Sequence, residues 1–204
     1  MRYICTSIVA MLIVAGTSFG DVVNEDFKLV AGDPGNYDRF GYSVSISGDY
    51  AVIGAWRDDT GRGSAYVFHH DGTDWTQQAK LVAADGSASD NFGVGVAISG
   101  DYAVIGAYGD DDKMSNSGSA YVFHRDGTTW TEQAKLVAAD GGTNDRFGYA
   151  VSISGDYAVI GAFGDWVGGN SSGSAYVFHR NETTWTEQAK LVASDSAQNG
   201  YFGT

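Results

Sequence analysis

Apolar and polar residues alternate along short stretches of this chain, and the stretches recur. Val44 and Ile46 stand between Ser43, Ser45 and Ser47, the period of two that marks a strand with unlike faces. Ser47-Gly48-Asp49-Tyr50 follows, with Gly at the first central position of a two-residue hairpin, where a type II′ turn needs positive φ. Ala51 to Ala55 is an unbroken run of small and β-branched residues, as in a strand buried on both faces. Ser64 to His69 reads as a third strand, Asp71-Gly72 as the next hairpin turn and about Trp75 to Ala83 as a fourth strand. Asp126-Gly127 repeats that turn, and at Asn181-Glu182 the asparagine is expected to take the left-handed conformation.

The whole order returns twice more. Phe40-Gly41, Phe92-Gly93 and Phe147-Gly148 open successive units 52 and 55 residues apart, and Phe202-Gly203 opens another 55 residues later. Within each unit V-x-I-S-G-D-Y-A-V-I-G-A, an irregular loop, G-S-A-Y-V-F-H and W-T-x-Q-A-K-L-V-A follow in that order. A period of this length with four short strands predicts a propeller blade, which buries its faces against its neighbours. The expected fold is therefore all-β, an incomplete β-propeller of four-stranded antiparallel blades. Repeats one to three span 40–91, 92–146 and 147–201, and 202–204 begins a fourth. Phe27 to Asp38 aligns with the A-K-L-V-A-A-D strand that ends each repeat, yet repeat three already owns its fourth strand. Residues 21–39 thus read as an orphan fourth strand, with its loop, from a blade that the chain does not contain.

Residues 1–20 are set apart by the positive Arg2, an apolar run from Ile4 to Ala15 and the small-x-small site Ser18-Phe19-Gly20, the pattern of a cleaved secretory signal. The run is shorter than the roughly 20 residues that span a bilayer, so no membrane insertion is expected of the mature chain. Cys5, the single cysteine, leaves with the signal, and the formal charge of −13 becomes −14 without Arg2. Such acidity speaks against nucleic acid, which is bound largely through Lys and Arg. Gly 29 against Pro 1 places the architecture in tight turns.

The FG opening, the V-I-G-A strand and the G-S-A-Y-V-F strand together resemble the FG-GAP repeat of the propellers in integrin α-chain heads. The resemblance covers Phe27 to Thr204. The third element of the name reads Gly54-Ala55-Trp56, Gly106-Ala107-Tyr108 and Gly161-Ala162-Phe163, an aromatic replacing the proline. It implies a propeller used for adhesion or protein recognition, with ligands on the long-loop face. Calcium-binding members carry an Asp-x-Asp-x-Asp-Gly type insertion between strands one and two, whereas this chain has only Ser-Gly-Asp-Tyr. One carboxylate cannot supply the six to eight oxygens that calcium takes, so the family's calcium site is not carried over and no cofactor is expected, with calcium left possible without the family loop motif.

Up-and-down connectivity puts the loops after strand two and those before strand one at one end of each sheet. These loops differ between repeats, and variable loops on a rigid scaffold are where binding sits. They are rich in Asp, so that end is expected to be acidic. Asp38, Asp90 and Asp145, each two residues before the FG phenylalanine, read as turn formers. Asp110, Asp111 and Asp112 occur together only in repeat two and are the metal candidates. Trp56, Tyr108, Phe163 and the non-recurring Trp166 are the ligand-face candidates. His69, His124 and His179 recur at one strand end, and Trp75, Trp130 and Trp185 recur as packing between blades. Asn170 and Asn181 head glycosylation sequons that a eukaryotic source would use. No nucleophile elbow, metalloprotease motif or phosphate loop occurs, and the chain is not read as an enzyme. The expected function is a secreted recognition or adhesion module binding an extracellular protein or glycan through the loops between strands two and three and between strands four and one. The alternatives are an accessory propeller of a larger secreted enzyme and a structural cell-surface repeat without a dedicated ligand.

Overall fold

The computed structural model describes residues 27–167, 170–194 and 200–204, and in it each repeat forms one four-stranded antiparallel sheet. Blade one orders β1 (Val44–Ser47), β2 (Tyr50–Ala55), β3 (Ser64–His70) and β4 (Trp75–Leu81) side by side. Blade two does the same with β5 (Val96–Ser99), β6 (Tyr102–Ala107), β7 (Ser119–Asp126) and β8 (Thr129–Leu136). In blade three, β9 (Phe147–Ser154) and β10 (Tyr157–Ala162) precede a two-stranded ribbon, β11 (Trp166–Val167) with β12 (Asn170–Ser171). The blade then closes with β13 (Ser174–Asn181) and β14 (Thr184–Leu191). Among the described residues no further sheet closes the three into a ring. The leader expected at 1–20 lies outside the described residues, as do 21–26 of the orphan segment.

Local rules account for the hairpins. Ser47 pairs with Tyr50, and of the two residues between them only Gly48 has positive φ (+55°), as a II′ turn requires. The third copy of the later hairpin corrects the sequence reading. Asn181 stays in β13 and pairs with Thr184, so the left-handed residue is Glu182 (φ +57°), at the position of Gly127. The strand runs one residue further than expected and carries the turn with it.

Blades pack face to face. Val52, Val67 and Leu81 of blade one share a core with Val96, Ile98, Ile105 and Phe92 of blade two. Val104, Val122 and Leu136 of blade two meet Phe147, Ile153 and Ile160 of blade three in the same way. The serines that alternate along β1 reach across to the next blade: Ser45 and Ser47 accept the Ile98 and Gly100 amides at 3.2 and 3.1 Å. Trp130 and Trp185 also lie between blades, their indole N–H groups donating to Gln78 and Gln133 of the blade before.

The orphan segment does not form a strand over the described residues 27–38. Residues 30–38 take the place of 82–90 and 137–145, which form no strand either, and most of the positions that match strand four lie outside the described residues. The described part of the segment docks on blade one. Leu29 and Ala31 pack on Ala51, Ile53, Tyr66 and Phe68, and the Gly32 amide donates to Gln77 at 2.8 Å. Ala84 and Ala139 make the same backbone contact to Glu132 and Glu187.

Candidate functional site: the long-loop face

The loops gathered at one end of the sheets are tied to each other across blades. The Asn91 and Phe92 amides donate to Gly61 and Arg62 of the preceding blade at 2.8 and 3.1 Å. Asn144, Arg146 and Phe147 likewise donate to Ser115, Asn116 and Ser117, and Phe202 to Ser172. Each connection from strand four to strand one is thereby pinned to the preceding blade's loop, which gives the face a fixed backbone.

Beneath it the same charged group is built three times. Lys80 lies 2.5 Å from Asp33 and 2.7 Å from Asp58, Lys135 lies 2.7 Å from Asp85 and 2.9 Å from Asp110, and Lys190 lies 2.7 Å from Asp140 and 2.6 Å from Asp165. Asp112 adds a third carboxylate on Lys135. A buried tyrosine supports each pair: the Tyr121 hydroxyl lies 2.8 Å from Asp85 and 2.7 Å from Asp110, with Tyr66 and Tyr176 in the equivalent places. Burial alone would raise Asp85 and Asp140, but hydrogen bonds from lysine and tyrosine outweigh it and hold both below the usual carboxylate range. Burial likewise opposes the charge of Lys135, yet its carboxylate partners push the ammonium pKa above its ordinary value. The face is therefore less bare of positive charge than its loops imply, because strand four sends a lysine up into it from every blade.

These contacts correct the reading of Asp110 to Asp112 as a group of its own. Asp110 is the blade-two counterpart of Asp58 and Asp165, all three buried and lysine-paired. Asp111 accepts the Asn116 amide at 2.6 Å. Among the described residues no group of three or more His, Cys, Asp or Glu side chains is placed to hold a metal ion. Asp38, Asp90 and Asp145 are turn formers, each accepting a backbone amide three residues earlier. His69, His124 and His179 stack on Tyr50, Tyr102 and Tyr157, with ring centroids 4.6, 4.7 and 4.6 Å apart.

The four aromatic candidates divide. Trp56, Tyr108 and Phe163 are half-buried and packed edge-on, Trp56 against Tyr42 at 5.7 Å and Tyr108 and Phe163 against Tyr149 at 5.8 and 4.7 Å. The Tyr149 hydroxyl beside Tyr42, together with partial burial, raises the Tyr42 pKa. Trp166 is different, 66% exposed. It stands where blades one and two carry Asp59 and Asp111. A cleft of about 300 Å³ opens beside it, lined by Asn144, Arg146, Phe163, Trp166, Ser171 and Tyr201. Arg146 lies over the Phe163 ring at 5.1 Å. Tyr201 was missed from sequence, although it occupies the repeat position of Arg146 and is a substitution visible by register alone. Asn181 is exposed at the end of β13, and the side chain of Asn170 lies outside the described residues.

Three interlocked four-stranded blades define an all-β repeat protein of propeller type. Residues 23–68, 75–123 and 130–178 each match the FG-GAP repeat, and the chain belongs to that family. The second and third matches begin in a fourth strand and end in the next blade's third strand, so there the family unit straddles two sheets. No curated protein matches the chain. Among solved structures it is similar to Sqt1 of Saccharomyces cerevisiae at 11% identity and a TM-score of 0.49, over 77% of this chain and 36% of that one. The chain thus spans about a third of that protein's length.

Proposed function

We propose that this chain is a secreted recognition module whose long-loop face binds an extracellular protein or glycan. The observation that carries the reading is Trp166. Exposure alone is ordinary for a single aromatic, but this indole flanks a cleft with aromatic walls and amide, guanidinium and hydroxyl groups at its rim. Aromatic anchors with a few polar groups around them are the usual chemistry of a recognition site. The other two blades carry aspartate at this position, so the scaffold does not require tryptophan there. Secretion rests on the leader pattern at 1–20, and sequencing the N-terminus of exported material checks it, with Asp21 expected first and Met1 contradicting it. Recognition is tested by arraying glycans and extracellular matrix proteins against the chain and its Trp166→Ala variant. A ligand bound by the parent and lost at least about tenfold by the variant, with unchanged melting temperature, supports the reading. A ligand held equally by both proteins moves the site elsewhere and defeats it.

A further inference from the structure

The cleft beside Trp166 has a charge opposite to that of the chain around it. Asp and Glu outnumber Lys and Arg by 25 to 12, yet the described residues that line the cleft include one cation, Arg146, and no acid. The nearby acids of blade three are turned inward. Asp165 is buried and bonded to Ser174 and Lys190, and Asp145 is buried and accepts the Gly142 amide. Where blades one and two carry Asp59 and Asp111, blade three carries the tryptophan itself.

The cation in the cleft is uncommitted. Arg125 and Arg180 are paired with Asp101 and Asp156, as the strand-four lysines are with their aspartates. The Arg146 guanidinium has no ion pair and no side-chain hydrogen bond among the described residues, and it lies over the Phe163 ring at 5.1 Å. Its backbone amide is held by Asn116 at 3.1 Å. The charge is thus fixed in place with its N–H groups unpaired, and a guanidinium presents those groups as a planar fork that matches a carboxylate.

Resting on the recognition reading of this same cleft, we propose that its ligand is an acidic glycan, a pyranose bearing a carboxylate, with Arg146 holding the carboxylate while Trp166 and Tyr201 stack on the sugar. A sugar ring has apolar C–H faces and hydroxyl edges. Trp166 is 66% and Tyr201 49% exposed, and their electron-rich ring faces suit C–H hydrogens of partial positive charge. The rim suits the hydroxyls. Asn144 accepts from Asn116 at 3.2 Å through its carbonyl, which leaves its amide nitrogen to donate, and Ser171 donates to the Gly164 carbonyl at 3.4 Å, which leaves its lone pairs to accept. An aspartate or glutamate of a partner protein also brings a carboxylate, but such a side chain leaves both exposed rings uncovered. The cleft, about 300 Å³, lies at the small end of the roughly 300–1,000 Å³ of small-ligand sites, a size for one or two sugar rings.

Titration calorimetry on the full chain tests this with tetrasaccharides of polygalacturonate, polymannuronate and hyaluronan, each beside its methyl ester, which keeps the ring and removes the charge. At least one acid is expected to bind, its ester at least about tenfold more weakly, and added salt to narrow the gap. Arg146→Met, which keeps the stem on Phe163, is expected to bring the acid to the level of the ester and leave the ester unchanged. Arg146→Lys should restore only part of the difference, because an ammonium lacks the fork. Trp166→Ala is expected to weaken acid and ester alike. Equal binding of acid and ester, an ester weakened by Arg146→Met as much as the acid, or a glutamate-rich peptide bound more tightly than every uronate overturns the proposal. So does the absence of binding by all the acids up to ~10 mM. In each of these cases an array ligand that still depends on Trp166 keeps the recognition reading, whereas an acid held through Arg146 but indifferent to Trp166→Ala overturns both.

Discussion

Gly106 on β6 lies so close to Gly148, which opens the next blade, that a β-carbon at position 106 would fall 1.7 Å from the Gly148 carbonyl oxygen. Gly54 against Gly93 and Gly161 against Gly203 repeat the approach at 2.0 and 1.9 Å. The glycine of each V-I-G-A strand and the glycine of the following FG pair are thus two sides of one contact, and backbone touches backbone between blades because neither residue has a side chain. The FG glycine also needs its positive φ (+90° at Gly148), which side-chain-bearing residues adopt at a cost. The family's two named elements are a single device for stacking blades.

Gly106→Ala is accordingly expected to destabilise the chain by about 3 kcal/mol or more, since the clash is with backbone and cannot be relieved by a rotamer change. Gly100→Ala is the comparison, for nothing stands within 4 Å of a β-carbon there and only its positive φ (+56°) is strained, worth about 1–2 kcal/mol. Urea unfolding of the two variants checks the order. Equal losses would mean that the close approach is not what holds blades two and three together.

Lys135 is the most heavily partnered of the three strand-four lysines, and Asp110 beneath it is buried. Lys135→Met leaves that carboxylate without its cation. Loss of one partner of a buried pair costs about 3–5 kcal/mol, and because Asp85 and Asp112 are half-exposed and hydrated, about 2–3 kcal/mol is expected here. Adding Asp110→Asn should return part of that loss. If the double variant is no more stable than the single one, the ion pair is not the source of the effect.

Calcium is expected to bind with no better than millimolar affinity. The acids that cluster near one another already have partners: Asp110 and Asp112 share Lys135, and Asp111 holds the Asn116 amide. Calcium takes six to eight oxygens, and recruiting these would break the lysine contacts. Titration calorimetry decides the matter, and a submillimolar site accompanied by a rise in melting temperature would show that the loops rearrange around the ion.

The sheets were legible in the sequence because their signals are local. The alternation at Val44 and Ile46 and the turn glycine at Gly48 fix a hairpin without reference to the rest of the chain, and strand two, expected at Ala51 to Ala55, is found at Tyr50–Ala55. The charged groups were not legible. The destination of Lys80, Lys135 and Lys190 depends on a long methylene stem and on two aspartates brought in from different loops, one of them contributed by the connection from the preceding blade. Of the residues around the cleft the sequence singled out Phe163 and Trp166, the latter because it broke the repeat. Its cleft draws on Arg146 and Tyr201, one repeat apart in sequence and neighbours only after the blades stack.

Two opposed sets of aspartates predict a stability maximum on the acid side of neutral. Asp90 and Asp145 are buried, which raises their pKa. Asp110 and Asp111 raise Asp90 further, and Asp165 and Asp140 raise Asp145, while the Ser87 and Gly142 amides pull each back only in part. An unfolded aspartate titrates near ~3.9. As pH falls toward that value the folded chain takes up these two protons before the unfolded chain does, so stability rises. Asp33, Asp85 and Asp140 are held below their ordinary value, Asp33 by Lys80 and the other two by lysine and tyrosine against the effect of burial. Their stabilisation is complete above ~3.9 and is lost as pH drops through the depressed folded values. The melting temperature should therefore climb from pH 7 to about 4–5 and fall steeply below about 3.5. Asp90→Asn with Asp145→Asn should flatten the climb and leave the acid fall in place. A parent protein whose stability declines steadily from pH 7 downward would show that the two buried carboxylates are not strained by their surroundings.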